Sequence, residues 1–230
     1  MAVNPNVAEI ASLLGEPSRA TILTSLMDGR FHTASELAYM ASVKPQTASF
    51  HLAKLVEGNL VIFEKHGRYR YYQLSNQEVA IILESFLSIS RPSEVRSFKQ
   101  STEAKALYQA RTCYDHLAGR LGVDLTDSMV KNDLLEKDND LFVVTQKGEK
   151  FLTDFGLDVA KLRKKRRSFS RACLDWSERH HHLAGALGQG LMTRLFDLGW
   201  IARIPSTRAV KITDKGKKGF NKHFQVHMDK

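Results

Sequence analysis

Cysteine is scarce in this chain: two residues in 230, Cys113 and Cys173, too far apart to form a C-x-x-C pair. That scarcity excludes a disulfide framework and makes reduced thiols the expectation. No apolar run reaches the roughly eighteen residues a spanning helix needs, and no signal peptide opens the chain, so a cytoplasmic protein without membrane association is expected. A glycine-rich phosphate loop, a nucleophile elbow and an HExxH helix are also missing, and with them the common enzyme signatures. The length allows one large or two modest domains, each with its own core.

Net charge is +9, but its distribution is uneven. Residues 1–92 hold eight Lys or Arg against eight Asp or Glu, and residues 93–230 hold 26 against 17, so the whole excess lies in the second part. Overall charge is therefore weak support for a nucleic-acid partner, and local pattern has to carry the argument. One local absence does so. No acidic residue lies between Glu36 and Glu57.

Within that span, Leu37, Val43, Leu52, Leu55 and Leu60 can share one core if a short helix from about Thr33 turns at Met40–Ser42 into a second helix opening near Lys44. Pro45 suits the first turn of that second helix. Ala48, Leu52 and Leu55 form its inward stripe, which leaves Lys44, Gln46, Thr47, Ser49, Phe50, His51 and Lys54 outward. Amide, hydroxyl, imidazole and ammonium groups on one face suit base edges and phosphates in a major groove. Leu60–Lys65 and Arg68–Leu74 then read as two strands joined at His66-Gly67, with Lys65, His66, Arg68 and Arg70 at the tip. A hairpin that only closed the core would explain Val61, Phe63 and the tyrosines, but not those four basic residues. The hairpin reads as a DNA-binding wing.

Here the chain resembles the ArsR/SmtB family of winged-helix transcriptional repressors over about residues 5–90. The likeness rests on Leu14-Gly-Glu-Pro-Ser-Arg-Ala-Thr-Ile-Leu23, Ser35-Glu-Leu-Ala38, Thr47-Ala-Ser-Phe-His-Leu-Ala-Lys-Leu55, and Gly67-Arg68 with Tyr71-Tyr72. It implies a dimeric winged helix whose first and last helices form the dimer surface and whose helix at 45–55 enters the groove. Metal-sensing members carry a cysteine pair in the helix matching Thr33–Ala38, or Asp and His ligands on the last helix of the domain. This chain has Thr33-Ala-Ser35 and Ile81-Ile-Leu-Glu-Ser-Phe86 there, so metal sensing in this domain is not expected, and any effector belongs to the C-terminal part.

Around that centre, Val7–Leu14 shows helical spacing, and a second helix is expected from Ser18, read as its N-cap, to about Met27. Ser75-Asn-Gln-Glu78 reads as a capping box for a helix carrying Val79, Ile82, Leu83, Phe86 and Leu87, apolar enough to call for a partner subunit or for the C-terminal part as cover. Arg91-Pro92-Ser93 marks a domain boundary, and a long helix is expected from Glu94 to about Leu121.

The C-terminal part carries an internal repeat at about 111–155 and 171–222. His116-Leu-Ala-Gly-Arg-Leu-Gly122 recurs as His182-Leu-Ala-Gly-Ala-Leu-Gly188, and Thr145-Gln-Lys-Gly148 as Thr213-Asp-Lys-Gly216, with landmarks 29 and 31 residues apart. Each copy reads as helix, helix, strand pair and Thr-capped helix. In the second copy the middle helix is expected at Leu191–Leu198, and the strands at Trp200–Ile204 and Ala209–Ile212. The fold class is thus α+β, mostly helical: an N-terminal winged helix-turn-helix over 1–92, then a domain of two winged-helix-like units over 93–230.

Each copy also offers Arg, Cys and Asp at i, i+2 and i+4: Arg111, Cys113 and Asp115, then Arg171, Cys173 and Asp175. His116 follows in the first copy, and His180, His181 and His182 follow in the second. These are candidate effector-site residues. The plain reading makes each Cys a core residue and each Arg-Asp pair a helical salt bridge. The other lets thiols and imidazoles converge on a metal if the copies pack face to face. No cofactor is expected on the plain reading. Lys161–Arg167 reads as a solvated, extended linker or as an auxiliary phosphate contact.

The expected function is DNA-binding transcription regulation, as a repressor acting as a homodimer on an inverted-repeat operator in double-stranded DNA, with a small-molecule, metal or redox signal sensed in the C-terminal domain. Two other classes remain open. One is a thiol-dependent enzyme using Cys113 or Cys173; the other is a non-specific architectural DNA-binding protein.

Overall fold

The structure, a computed structural model, describes residues 5–91 and 97–228. They fall into two compact units, one running to Glu84 and including Pro205–Thr207, the other comprising Ser85–Ile204 and the chain from Arg208. The boundary expected at Pro92-Ser93, and the start of the helix expected from Glu94, lie outside the described residues. None of the helices described is long and apolar enough to cross a membrane.

In the first unit, α1 (Val7–Leu14) leads into α2 (Pro17–Leu26). The cap of α2 is Glu16 rather than the expected Ser18, because the Glu16 carboxylate accepts the backbone N–H groups of Ser18 and Arg19. After the turn at Asp28, whose buried carboxylate accepts hydrogen bonds from Arg30 and pairs with His32, comes the short strand β1 (His32–Thr33). Thr33 and Glu36 form a reciprocal capping box at the head of α3 (Ala34–Met40). α4 (Pro45–Glu57) follows with Pro45 in its first turn. β2 (Val61–His66) and β3 (Tyr69–Leu74) pair antiparallel from Val61↔Leu74 to His66↔Tyr69, and β1 pairs on the other edge of β3. The loop is therefore Gly67-Arg68, one residue beyond the expected turn, with Gly67 at φ 60°. Ile22, Leu23, Leu26, Leu37, Leu52, Leu55 and Leu74 are wholly buried and form the core. α5 (Gln77–Ile89), whose residues from Ser85 onward belong to the second unit, is capped by Asn76, which accepts the Val79 N–H at 3.0 Å, and not by the expected Ser75–Glu78 box.

In the second unit, α6 (Phe98–Gln109) ends well before Leu121. The chain turns into the hairpin β4 (Arg111–Cys113) and β5 (His116–Ala118), then α7 (Gly119–Lys131), the pair β6 (Leu135–Asp138) and β7 (Leu141–Val144), and α8 (Gln146–Asp154). After α9 (Val159–Arg163) the same order returns: hairpin β8 (Arg171–Leu174) and β9 (His181–Ala184), α10 (Gly185–Asp197), pair β10 (Ile201–Arg203) and β11 (Val210–Ile212), and α11 (Asp214–Phe224). Each copy thus begins with a hairpin where a helix was expected, which corrects the winged-helix-like reading at its first element, and α10 starts at Gly185 rather than Leu191. Thr145 and Thr213 cap α8 and α11, each accepting from the glycine three residues on at 2.9 Å. The basic run is no extended linker: Lys161–Arg163 close α9, Leu162 is buried, and Arg163 lies over the Phe169 ring at 4.1 Å.

Candidate nucleic-acid interface and buried Cys-His cluster

On α4 the expected inward stripe is buried: Ala48, Leu52 and Leu55. Lys44, Gln46, Thr47, Ser49, Phe50 and Lys54 are exposed. His51 is the exception. It is buried, and its Nδ1 stands 3.6 Å from the Glu16 carboxylate, so it belongs to the packing of α4 on the head of α2 and not to an outward surface. The spacing Ala48, His51, Leu52, Leu55 is the i, i+3, i+4, i+7 pattern of an inward stripe, a signal available in the sequence. Phe50 is 57% exposed with the Lys54 ammonium 4.6 Å over its ring.

On the hairpin, Lys65, His66, Arg68 and Arg70 are exposed. Arg68 lies over Tyr69 at 5.2 Å and Arg70 over Phe63 at 4.9 Å, contacts that hold flexible guanidinium groups along the hairpin face. Between α4 and the hairpin opens a groove of about 600 Å³ bordered by Ser49, Ala53, Arg68 and Arg70. A helix with an outward polar face beside a basic two-stranded finger defines a winged helix-turn-helix.

The second unit holds the other cluster. Cys113 pairs with His116 across its hairpin, and Cys173 with His182 across the equivalent one. One ligand atom from each of these four residues lies within 4.8 Å of all the others. The two Nε2 atoms of His116 and His182 are 3.1 Å apart. Behind them, His116 Nδ1 is 3.3 Å from Asp115 Oδ1, and His182 Nδ1 is 3.4 Å from Asp175 Oδ2. Each carboxylate is held in turn. Arg167 binds Asp115, while Asp175 accepts from Arg111 at 2.8 Å and from the Gly119 N–H at 2.7 Å.

This overturns the helical salt-bridge reading, since both Arg-Cys-Asp runs begin on strands and Asp175 pairs with Arg111 of the other copy. Of the remaining candidates, Arg171 sits half-buried at the start of β8, and His180 is exposed, 4.0 Å from Asp127. Trp176, with the Arg111 guanidinium 4.2 Å from its ring, completes the surround without a sequence signal, whereas Arg167 belongs to the basic run read as a linker or phosphate contact and here holds Asp115.

Charge at the cluster is set by these neighbours. Burial acts to lower the His116 pKa, but the Cys113 sulfur and the Asp115 carboxylate outweigh it and raise the imidazole to about 9. Burial and then repulsion from His116 hold His182 well below the ordinary imidazole range. For Asp175, burial would raise the pKa, but Arg111, the Ser177 hydroxyl, His182 and the Gly119 N–H bring it well below the carboxylate range.

A family model described as a helix-turn-helix domain matches residues 14–62. The chain is 53% identical over 224 residues to the "uncharacterized HTH-type transcriptional regulator YdfF" of Bacillus subtilis (strain 168), covering 97% of this chain and 99% of that one. Among solved structures, NolR from Sinorhizobium fredii matches at 29% identity over 38% of this chain and 86% of that chain, with a TM-score of 0.35. A possible transcriptional regulatory protein from Mycobacterium bovis (fragment 1–100) matches at 27% identity over 34% and 82%, with a TM-score of 0.31. The chain belongs to the helix-turn-helix-type transcriptional regulators, and the helix-turn-helix with its hairpin described above is the winged helix-turn-helix of its first unit.

Proposed function

We propose that the protein is a repressor that binds an inverted-repeat operator as a homodimer, reads base edges with the exposed face of α4 and grips the flanking backbone with the hairpin. The observation that carries this reading is the composition of that face: Lys44, Gln46, Thr47, Ser49, Phe50 and Lys54 are exposed, with no acidic residue between Glu36 and Glu57. Two such helices related by a two-fold axis would meet half-sites about one helical turn apart. The domains in this reading are 1–92 for DNA binding and dimerisation and 93–230 for the signal. DNase footprinting of the protein on its own promoter region tests it. A protected palindrome supports operator reading, whereas uniform coating without sequence preference would leave only an architectural DNA-binding role.

A further inference from the structure

We propose that Cys113, His116, Cys173 and His182 bind one zinc ion, which ties the two repeat units of the second unit together. The donor chemistry fits: two thiols and two imidazoles are a complete zinc set, and two thiolates neutralise the charge of the ion, so the loaded site can be buried without an unpaired charge.

Geometry supports the same reading. A tetrahedral ion with bonds of about 2.0–2.1 Å to nitrogen holds two imidazole nitrogens roughly 3.3 Å apart. The Nε2 atoms stand 3.1 Å apart, and the remaining ligand atoms are within 4.8 Å. Both histidines present Nε2 to the centre; His116 Nδ1 is hydrogen-bonded to Asp115, the carboxylate partner common behind metal-bound imidazoles, and His182 Nδ1 faces Asp175 at 3.4 Å without a hydrogen bond. Arg167 and Arg111 then fix those two carboxylates from behind.

Backbone placement agrees with this. Each copy contributes one Cys and one His from paired positions of one hairpin. A side chain added at Gly188 would come within 3.2 Å of the His116 Cβ, and one at Gly122 within 3.7 Å of the His182 Cβ. Both glycines are demanded first by a carbonyl of their own copy, Leu117 O at 2.6 Å and Leu183 O at 2.4 Å, so the contacts show that each helix start lies against the other copy's histidine. With four protein ligands the site has no position open for substrate, which makes it a clamp rather than a catalytic centre. It is distinct from the metal positions that the family resemblance implies in the winged helix, and it does not depend on the DNA-binding reading.

The test uses the full chain without DNA. Reduced protein is incubated with Zn(II), dialysed against metal-free buffer and measured by elemental analysis; a parallel sample receives Co(II) for visible spectroscopy. The expected result is about one zinc per chain, and for cobalt a thiolate charge-transfer band with intense visible bands of tetrahedral coordination. Cys113→Ser and Cys173→Ser should each weaken retention by at least about tenfold, the effect expected for loss of metal-site contacts. Reduced wild-type protein that retains no zinc, or weak octahedral cobalt bands, would overturn the proposal. So would unchanged retention in the double Cys→Ser variant. If either variant fails to fold, the wild-type stoichiometry and cobalt spectrum decide the question.

Discussion

Arg111 and Asp175 form an ion pair at 2.8 Å in which neither side chain has any solvent exposure, and they come from different copies of the repeat. Asp175→Asn keeps the shape but leaves the buried guanidinium, still hydrogen-bonded to the Leu107 carbonyl and the Ser177 hydroxyl, without its counter-charge, so a loss of about 3–5 kcal/mol in unfolding free energy is expected from urea titration. Replacing both residues with apolar ones should cost less than replacing Asp175 alone. The pH dependence has a definite sign. Because the folded-state carboxyl is held well below its ordinary value, the unfolded chain binds the proton first as pH falls. Stability from this pair is present above the ordinary carboxylate range and drains away below it, a decline that Asp175→Asn should remove from the acid limb of a denaturation curve.

The repeat can be read in the sequence because it is written in glycines with a physical duty. A Cβ at Gly148 would sit 1.9 Å from the Leu134 carbonyl oxygen, and one at Gly216 would sit 2.1 Å from that of Trp200, equivalent positions in the two copies. Gly148→Ala and Gly216→Ala should each lower stability by about 1–3 kcal/mol, since neither carbonyl belongs to a flexible side chain. Thermal unfolding of the two variants checks this, and a neutral result at one site would break the equivalence. The hairpins opening each copy were hidden for a converse reason. Tyr114 and Arg179 take φ of 58° and 59° in their turns without glycine or asparagine to announce them, so Arg111–His116 offers a helical reading as readily as a strand pair. The winged helix was plainer, because Thr33, Pro45 and Gly67 mark its turns with residues whose geometry is needed there.

Arg68→Ala, Arg70→Ala and Lys54→Ala should each weaken binding to every sequence alike and lower the salt slope of affinity by about one, the signature of a lost phosphate contact. Gln46→Ala should instead change discrimination among operator variants by about 1–3 kcal/mol. His51→Ala is the control that separates surface from packing: His51 is buried against Glu16, so its loss should lower stability and leave the salt slope unchanged. Fluorescence anisotropy over graded salt distinguishes these outcomes. Equal slopes for wild type and the arginine variants would remove the hairpin from the interface.

The outer face of α5 sets the last expectation. Ile82 and Phe86 are each 48% exposed and Ile89 is 79% exposed, at i, i+4 and i+7, while Val79, Ala80 and Leu83 fill the inner face. An apolar stripe of this kind suits a two-fold contact in which each helix covers its mate. Ile82→Glu with Phe86→Glu places carboxylates where apolar contact is required, yet these positions are exposed within the chain, so the fold should survive. If the homodimer proposal holds, sedimentation velocity should report a dimer for the wild type and a monomer for this variant, and half-site affinity should persist while cooperative binding to the full palindrome is lost. A variant that still sediments as a dimer would show that the contact between subunits does not run through the outer face of α5.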